Sequence, residues 1–306
     1  MADASGEAVM GEFSIPEVAL SGFRIVRGHP RALLAWAPLM LLVSLAVSLA
    51  AVQTGVAGLD LVHVAQDPQA AEQAMSRIAP FLLFSAPLML LLNAVLYAAM
   101  NRAVFDPGAS RFGYLRLGAD ELRQLGLQLL FMLVMLTIYV LVMIAGGMFT
   151  LIGGLAGGIA GSVFAAVAVV AGAVVVVAAV VRFSLAFPLT FVSGHIGLAA
   201  SWRLSQGRGA RMFLAYALAT ALALFVAILG AVIEVAIGEL VGGGTTETGL
   251  NPGAVATLAS LATPAFISTQ IINALINALI APVLLTPPAV LLSRLQPAGA
   301  ATARAA

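Results

Sequence analysis

The chain has 306 residues, of which 62% are hydrophobic and 9% charged, with a net charge of +1. So few charges cannot cover the surface of a soluble domain of this size, which excludes that class and points to a membrane protein. Cysteine is absent, which excludes disulfides and thiolate metal sites, and lysine is absent too, so arginine carries all the fixed positive charge.

Residues 1–12 are small, polar and acidic and predict a disordered tail. Ser14 and Glu17 have capping-box spacing and Pro16 suits a first turn, so a short amphipathic helix is expected over about 15–27, ended by Gly28. Lying at the membrane surface, it would set Arg24, Arg27 and Arg31 among lipid headgroups. A membrane crossing needs about 20 apolar residues in helical form. Six stretches qualify, at about 33–52, 78–100, 125–150, 159–181, 212–233 and 264–292. Residues 296–306 predict a second disordered tail, leaving 13–295 as one six-helix membrane domain. The first span starts too late and runs too long for a cleaved signal peptide, so it is expected to be retained.

Thirteen of the 14 arginines fall before span one, between spans two and three, between four and five, or after six. The alternate gaps hold Asp60, Asp67, Glu72 and Arg77, then no charge, then Glu234, Glu239 and Glu247. The bias of arginine toward the cytoplasmic face predicts both termini inside. Spans one, three and five start at similar intervals, and their lead-ins correspond: Phe23-Arg24-Ile25-Val26-Arg27-Gly28 resembles Trp202-Arg203-Leu204-Ser205-Gln206-Gly207, with a looser version around Tyr114 to Arg123. The expected fold class is therefore an all-α integral membrane protein of three helical hairpins, each preceded by a cytoplasmic interfacial helix. The third lead-in adds Trp202, Arg203, Arg208 and Arg211 to the candidate headgroup contacts, and anionic lipids are the natural partner.

Polar residues inside spans are costly and mark packing contacts or sites. Asn93, Tyr97 and Asn101 recur every four residues in span two; Gln270, Asn273 and Asn277 follow spacing three and four in span six. Each set reads as one helix face, and Asn93 and Asn277 fall at similar depth, so a shared polar seam between spans two and six is expected. Such a seam serves either as interhelical glue or as a cavity for a solute or headgroup. Pro38, Pro87, Pro188, Pro264 and Pro282 predict kinks, and the glycines from Gly146 to Gly161 predict a tight hairpin of spans three and four. His29, His63 and His195 lie in separate segments and offer no shared metal or acid-base site, and Asp60 with His63 reads as a solvated pair. No phosphate loop, nucleophile elbow or zinc-helix motif occurs.

Phe187-Pro188, Gly197, Ser201-Trp202-Arg203-Leu204, Gly207 and Arg208, with Pro282 and Leu291-Leu292-Ser293-Arg294-Leu295, resemble the six-span membrane domain found beside some bacterial glycerophosphodiester phosphodiesterases and in related inner-membrane proteins. Ser293 departs from a tyrosine frequent in that family, and no phosphodiesterase catalytic segment lies in the chain. The resemblance implies a six-helix fold and a membrane-envelope role, and it carries no enzymatic activity over. The expectation is a non-enzymatic accessory or scaffold protein of membrane or lipid homeostasis that uses no cofactor. Its expected partners are membrane lipids, with a second copy or another protein left open and nucleic acid excluded. The alternative is a small transporter or lipid-translocating protein built around the polar seam.

Overall fold

The computed structural model describes residues 13–60, 64, 66–242 and 257–295. Both expected tails, His63 and Glu247 lie outside the described residues. The helices are α1 (Ile15–Ala19), α2 (Ser21–Gly28), α3 (Pro30–Thr54), α4 (Pro68–Phe105), α5 (Ala119–Ala156), α6 (Gly158–Phe183), α7 (Ala186–Ser193), α8 (Leu198–Leu204), α9 (Gly209–Gly242), α10 (Leu258–Leu261), α11 (Pro264–Leu285) and α12 (Pro287–Leu295). Six of them, α3, α4, α5, α6, α9 and α11, are long and apolar enough to cross a membrane. The protein is an all-α, multi-pass membrane protein.

Several helices outrun the apolar stretches that announce them. Asp67 accepts a hydrogen bond from the Gln69 amide at 2.9 Å and caps α4, so the helix begins within the acidic loop, ahead of span two. At about 1.5 Å per residue, the 38 residues of α4 run about 57 Å, well beyond a hydrocarbon core of about 30 Å. Span six is shorter than expected, because α11 stops at Leu285 and Pro287-Pro288 open α12 as a separate helix.

Around the bundle, α3 packs between α4 and α11, α9 lies along α11, α5 follows α4, and α6 pairs with α5. Within the α5–α6 hairpin the backbones approach closely at Gly161, where an added Cβ would sit 3.2 Å from the Gly153 carbonyl oxygen. The side of α5 and α6 away from their shared contact is exposed along most of its length, as lipid-facing helices require. α6 meets α9 around buried Val181, Met212 and Ala215.

The lead-ins depart from the expected surface helices. Ser14 makes no side-chain cap, and the first segment breaks at Leu20 into α1 and α2. Phe13 and Val18 are buried among Leu185, Met212, Leu291 and Leu292, so the apolar face meets protein rather than acyl chains. Gly22 lies against α11 so closely that a Cβ would fall 2.3 Å from the Val283 Cα. Glu17, freed from capping, pairs with Arg294 and lies 3.8 Å from Arg24.

The middle lead-in is not an α-helix but two 3-10 turns, Pro107–Ala109 and Arg111–Tyr114, with Phe112 at φ 51° and Tyr114 at φ 67°. Side chains hold this strained loop. Trp36 Nε1 donates to the Gly113 carbonyl at 2.7 Å, and Arg102 Nη1 donates to the Tyr114 carbonyl at 3.0 Å. The Tyr114 ring is buried, while its hydroxyl meets His29 Nε2 at 3.2 Å and the Pro107 carbonyl at 3.3 Å. The third lead-in is helical as expected, as α8.

Candidate functional site

A groove of about 390 Å³ lies between α3, α4 and α11. Its polar lining comes from Ser44 and Ser48 on α3, Asn93 on α4, and Asn273 and Asn277 on α11; the rest is aliphatic, methionine and alanine. Counting about 1.5 Å per residue, Asn93 sits about 14 Å along α4 from Arg102, and Asn277 about 12 Å along α11 from Leu285. Both depths are near half of a hydrocarbon core of about 30 Å, so these amides sit close to the bilayer midplane.

The expected seam divides into parts with different work. Gln270 bridges helices: it accepts from Ser44 Oγ at 2.5 Å and donates to Ser48 Oγ at 3.2 Å, tying α11 to α3 rather than to α4. Asn273 donates to Glu234 Oε1 at 2.9 Å, tying α11 to α9. Asn93 and Asn277 bridge nothing. Each donates back to its own helix, to the Met89 carbonyl at 2.9 Å and the Asn273 carbonyl at 2.8 Å, and each is exposed toward the groove. Neither Oδ1 has a donor partner among the described residues. Two amide oxygens and two spare amide hydrogens therefore face an apolar slot, where a bound molecule would satisfy them.

Tyr97 and Asn101 leave the seam. Four residues on an α-helix turn about 400°, so each step drifts about 40° around the axis. Tyr97 consequently stacks on Phe187 of α7, ring centroids 4.2 Å apart, with Phe131 at 5.8 Å from Phe187. Asn101 is buried near the C-terminal end of α4, and its Nδ2 has no acceptor among the described residues.

The arginines gather at one end of the bundle. Arg27, Arg31, Arg203 and Arg211 are exposed there. Arg24 donates to the Glu17 carbonyl at 2.5 Å, and half-buried Arg208 donates to the Leu204 carbonyl at 3.4 Å. Trp202 is 39% exposed and lies under the guanidinium of Arg182, 4.5 Å from ring centroid to Cζ. The Ser-Trp-x-Leu stretch is thus a joint: Ser201 Oγ donates to the Arg182 carbonyl at 2.7 Å, and Leu204 packs against the buried cluster around Met212.

Sequence reasoning passed over five contributors. Ser44 and Ser48 show the i, i+4 spacing of a polar face, a usable signal; Arg182 reads only as topology, and Glu234 as an interfacial acid. The fifth, Arg102, counted among topological arginines, is buried at 5% exposure with its Nη2 2.5 Å from Oε1 of buried Glu121. That approach lacks hydrogen-bond alignment, and Glu121 Oε2 has no donor among the described residues. No family model, curated protein or solved structure matches the chain.

Proposed function

We propose that this is a non-enzymatic accessory protein of lipid homeostasis in a bacterial inner membrane, with both termini cytoplasmic, that binds an uncharged amphiphile in the α3–α4–α11 groove. The supporting observation is the pair Asn93 and Asn277, exposed to an apolar groove near the midplane with free carbonyl oxygens. With one N–H already spent on its own helix, each amide presents a spare donor and a free acceptor oxygen, which complement a hydroxyl, ester or carbonyl and offer no countercharge to a phosphate. Amides and hydroxyls also do not ionise near neutral pH, which favours binding over acid-base chemistry. The orientation rests on the segregation of arginine to one end, and the bacterial setting on the resemblance to the six-span domain. A second reading, passage of the amphiphile between leaflets, draws on the same midplane depth of the polar groups.

The test separates ligand contact from helix packing. Asn93→Leu/Asn277→Leu removes no interhelical hydrogen bond, so it should keep the melting temperature of wild type while losing a co-purifying neutral lipid in native mass spectrometry. Gln270→Leu should do the reverse and lower stability, because it cuts α11 from α3. Unchanged lipid retention in the Asn93/Asn277 variant would overturn the proposal. Flux of that lipid across vesicles carrying the wild type would select the second reading.

A further inference from the structure

A second cavity, of about 480 Å³, opens between α6 and α9 at the arginine-rich end. Val174, Val177, Ala178, Val181 and Phe213 form its apolar walls, and Arg182 stands at its mouth. Between Leu122 and Ile233 the chain contains no carboxylate, yet it carries Arg182, Arg203, Arg208 and Arg211 as well as Arg123, which pairs with Asp120 at 3.0 Å. Arg182 has no carboxylate partner among the described residues. Its guanidinium is positioned instead by the Trp202 ring, itself 5.3 Å from that of Phe183, and by Ser201 clamping α8 to the Arg182 carbonyl. A guanidinium over an aromatic face keeps its outward N–H donors available, and their planar fork matches a phosphate.

A fixed cation above an apolar slot complements one ligand shape: an anionic head joined to a hydrocarbon tail. We infer that the α6–α9 crevice binds one anionic phospholipid, its phosphate on Arg182 and one acyl chain between Ala178 and Phe213. The neighbouring Arg203 and Arg208 add field without direct contact, and no carboxylate on α6, α8 or the first turns of α9 opposes it. Free phosphate lacks the tail and gains nothing from the slot; a zwitterionic lipid fills the slot but gains less from the charge. The site shares no lining residue with the α3–α4–α11 groove, so the two stand or fall separately.

Native mass spectrometry of the full chain in mild detergent tests this, titrating phosphatidylglycerol against phosphatidylcholine of the same acyl composition. The expected result is one saturable phosphatidylglycerol adduct, preferred over phosphatidylcholine and not displaced by excess inorganic phosphate. Arg182→Gln should weaken it by about tenfold through the lost charge-assisted bonds, and Ala178→Phe should weaken it by filling the slot. Arg27→Gln, on α2, should leave it unchanged. Ala178 is exposed, so its substitution blocks the slot without disturbing packing and decides the matter even where Arg182→Gln misfolds. Equal binding of the two lipids overturns the inference. So do wild-type binding by Ala178→Phe, equal loss in Arg27→Gln, and displacement by phosphate alone.

Discussion

Removing the Arg102 guanidinium should destabilise the fold more than losing any exposed arginine. Arg102 and Glu121 are 5% and 3% exposed, and Arg102 also holds the Tyr114 carbonyl at 3.0 Å, lies 3.5 Å from Asp120 and faces the Phe191 ring at 5.9 Å. Arg102→Met strands a buried carboxylate beside a second one and releases the strained loop, which should cost about 3–5 kcal/mol. Glu121→Leu leaves Arg102 its Asp120 and Tyr114 contacts, so its cost should be smaller, about 1–3 kcal/mol. Combining the two replaces a buried ion pair by apolar groups, and the double variant should be more stable than Arg102→Met alone. Equilibrium unfolding in mixed micelles with increasing anionic detergent measures all four corners of the cycle. A double variant as unstable as the sum of its parts would refute the reasoning, since the two side chains would then act independently. So would an Arg102→Met protein within about 0.5 kcal/mol of wild type, the range of an ordinary surface substitution.

Gly22→Ala should destabilise by about 1–3 kcal/mol, because its new methyl meets α11 backbone rather than a yielding side chain; protease cleavage near residue 28 should rise with it, and unchanged cleavage would show that α2 is not seated on α11. Burial and the nearby Asp106 carboxylate push the Tyr114 hydroxyl above its ordinary value. The folded state therefore holds that proton more tightly than the unfolded chain does. Its contribution is complete below an unfolded pKa of about 10 and is lost as pH rises beyond it. Melting temperature followed across that range should fall in wild type and fall less in Tyr114→Phe; parallel curves would assign the decline elsewhere.

The spans were legible because a hydrocarbon core admits long apolar helices and little else, so charge-free length carries the signal. Helix neighbours were not. The spacing of Gln270, Asn273 and Asn277 marks a polar face on α11, but three different surroundings receive it: α3 at Ser44 and Ser48, α9 at Glu234, and the open groove at Asn277. Spacing of four likewise hides a drift that sends Tyr97 to Phe187 while Asn93 stays in the groove. Arg102 was hidden for another reason. The charge bias explains any arginine at that end equally well, so nothing local distinguishes the buried one from exposed Arg203. The middle lead-in defeated analogy, because its shape is set by Trp36 and Arg102 on neighbouring helices, not by its own residues.

The docking of α1 and α2 beneath α11 and α12 imposes an order on biosynthesis. The segment that leaves the ribosome first finds its seat on the segment that leaves last: Gly22 against Val283, Val18 among Leu291 and Leu292, Glu17 on Arg294. Until the final hairpin is inserted, Phe13 and Val18 have only part of their apolar cover, from Val181, Leu185 and Leu189. An interrupted or truncated product therefore displays its own N-terminal segment as a mark of incompleteness to proteases and chaperones. Completion hides that mark, and the seating of α1 and α2 reports that α11 and α12 are in place.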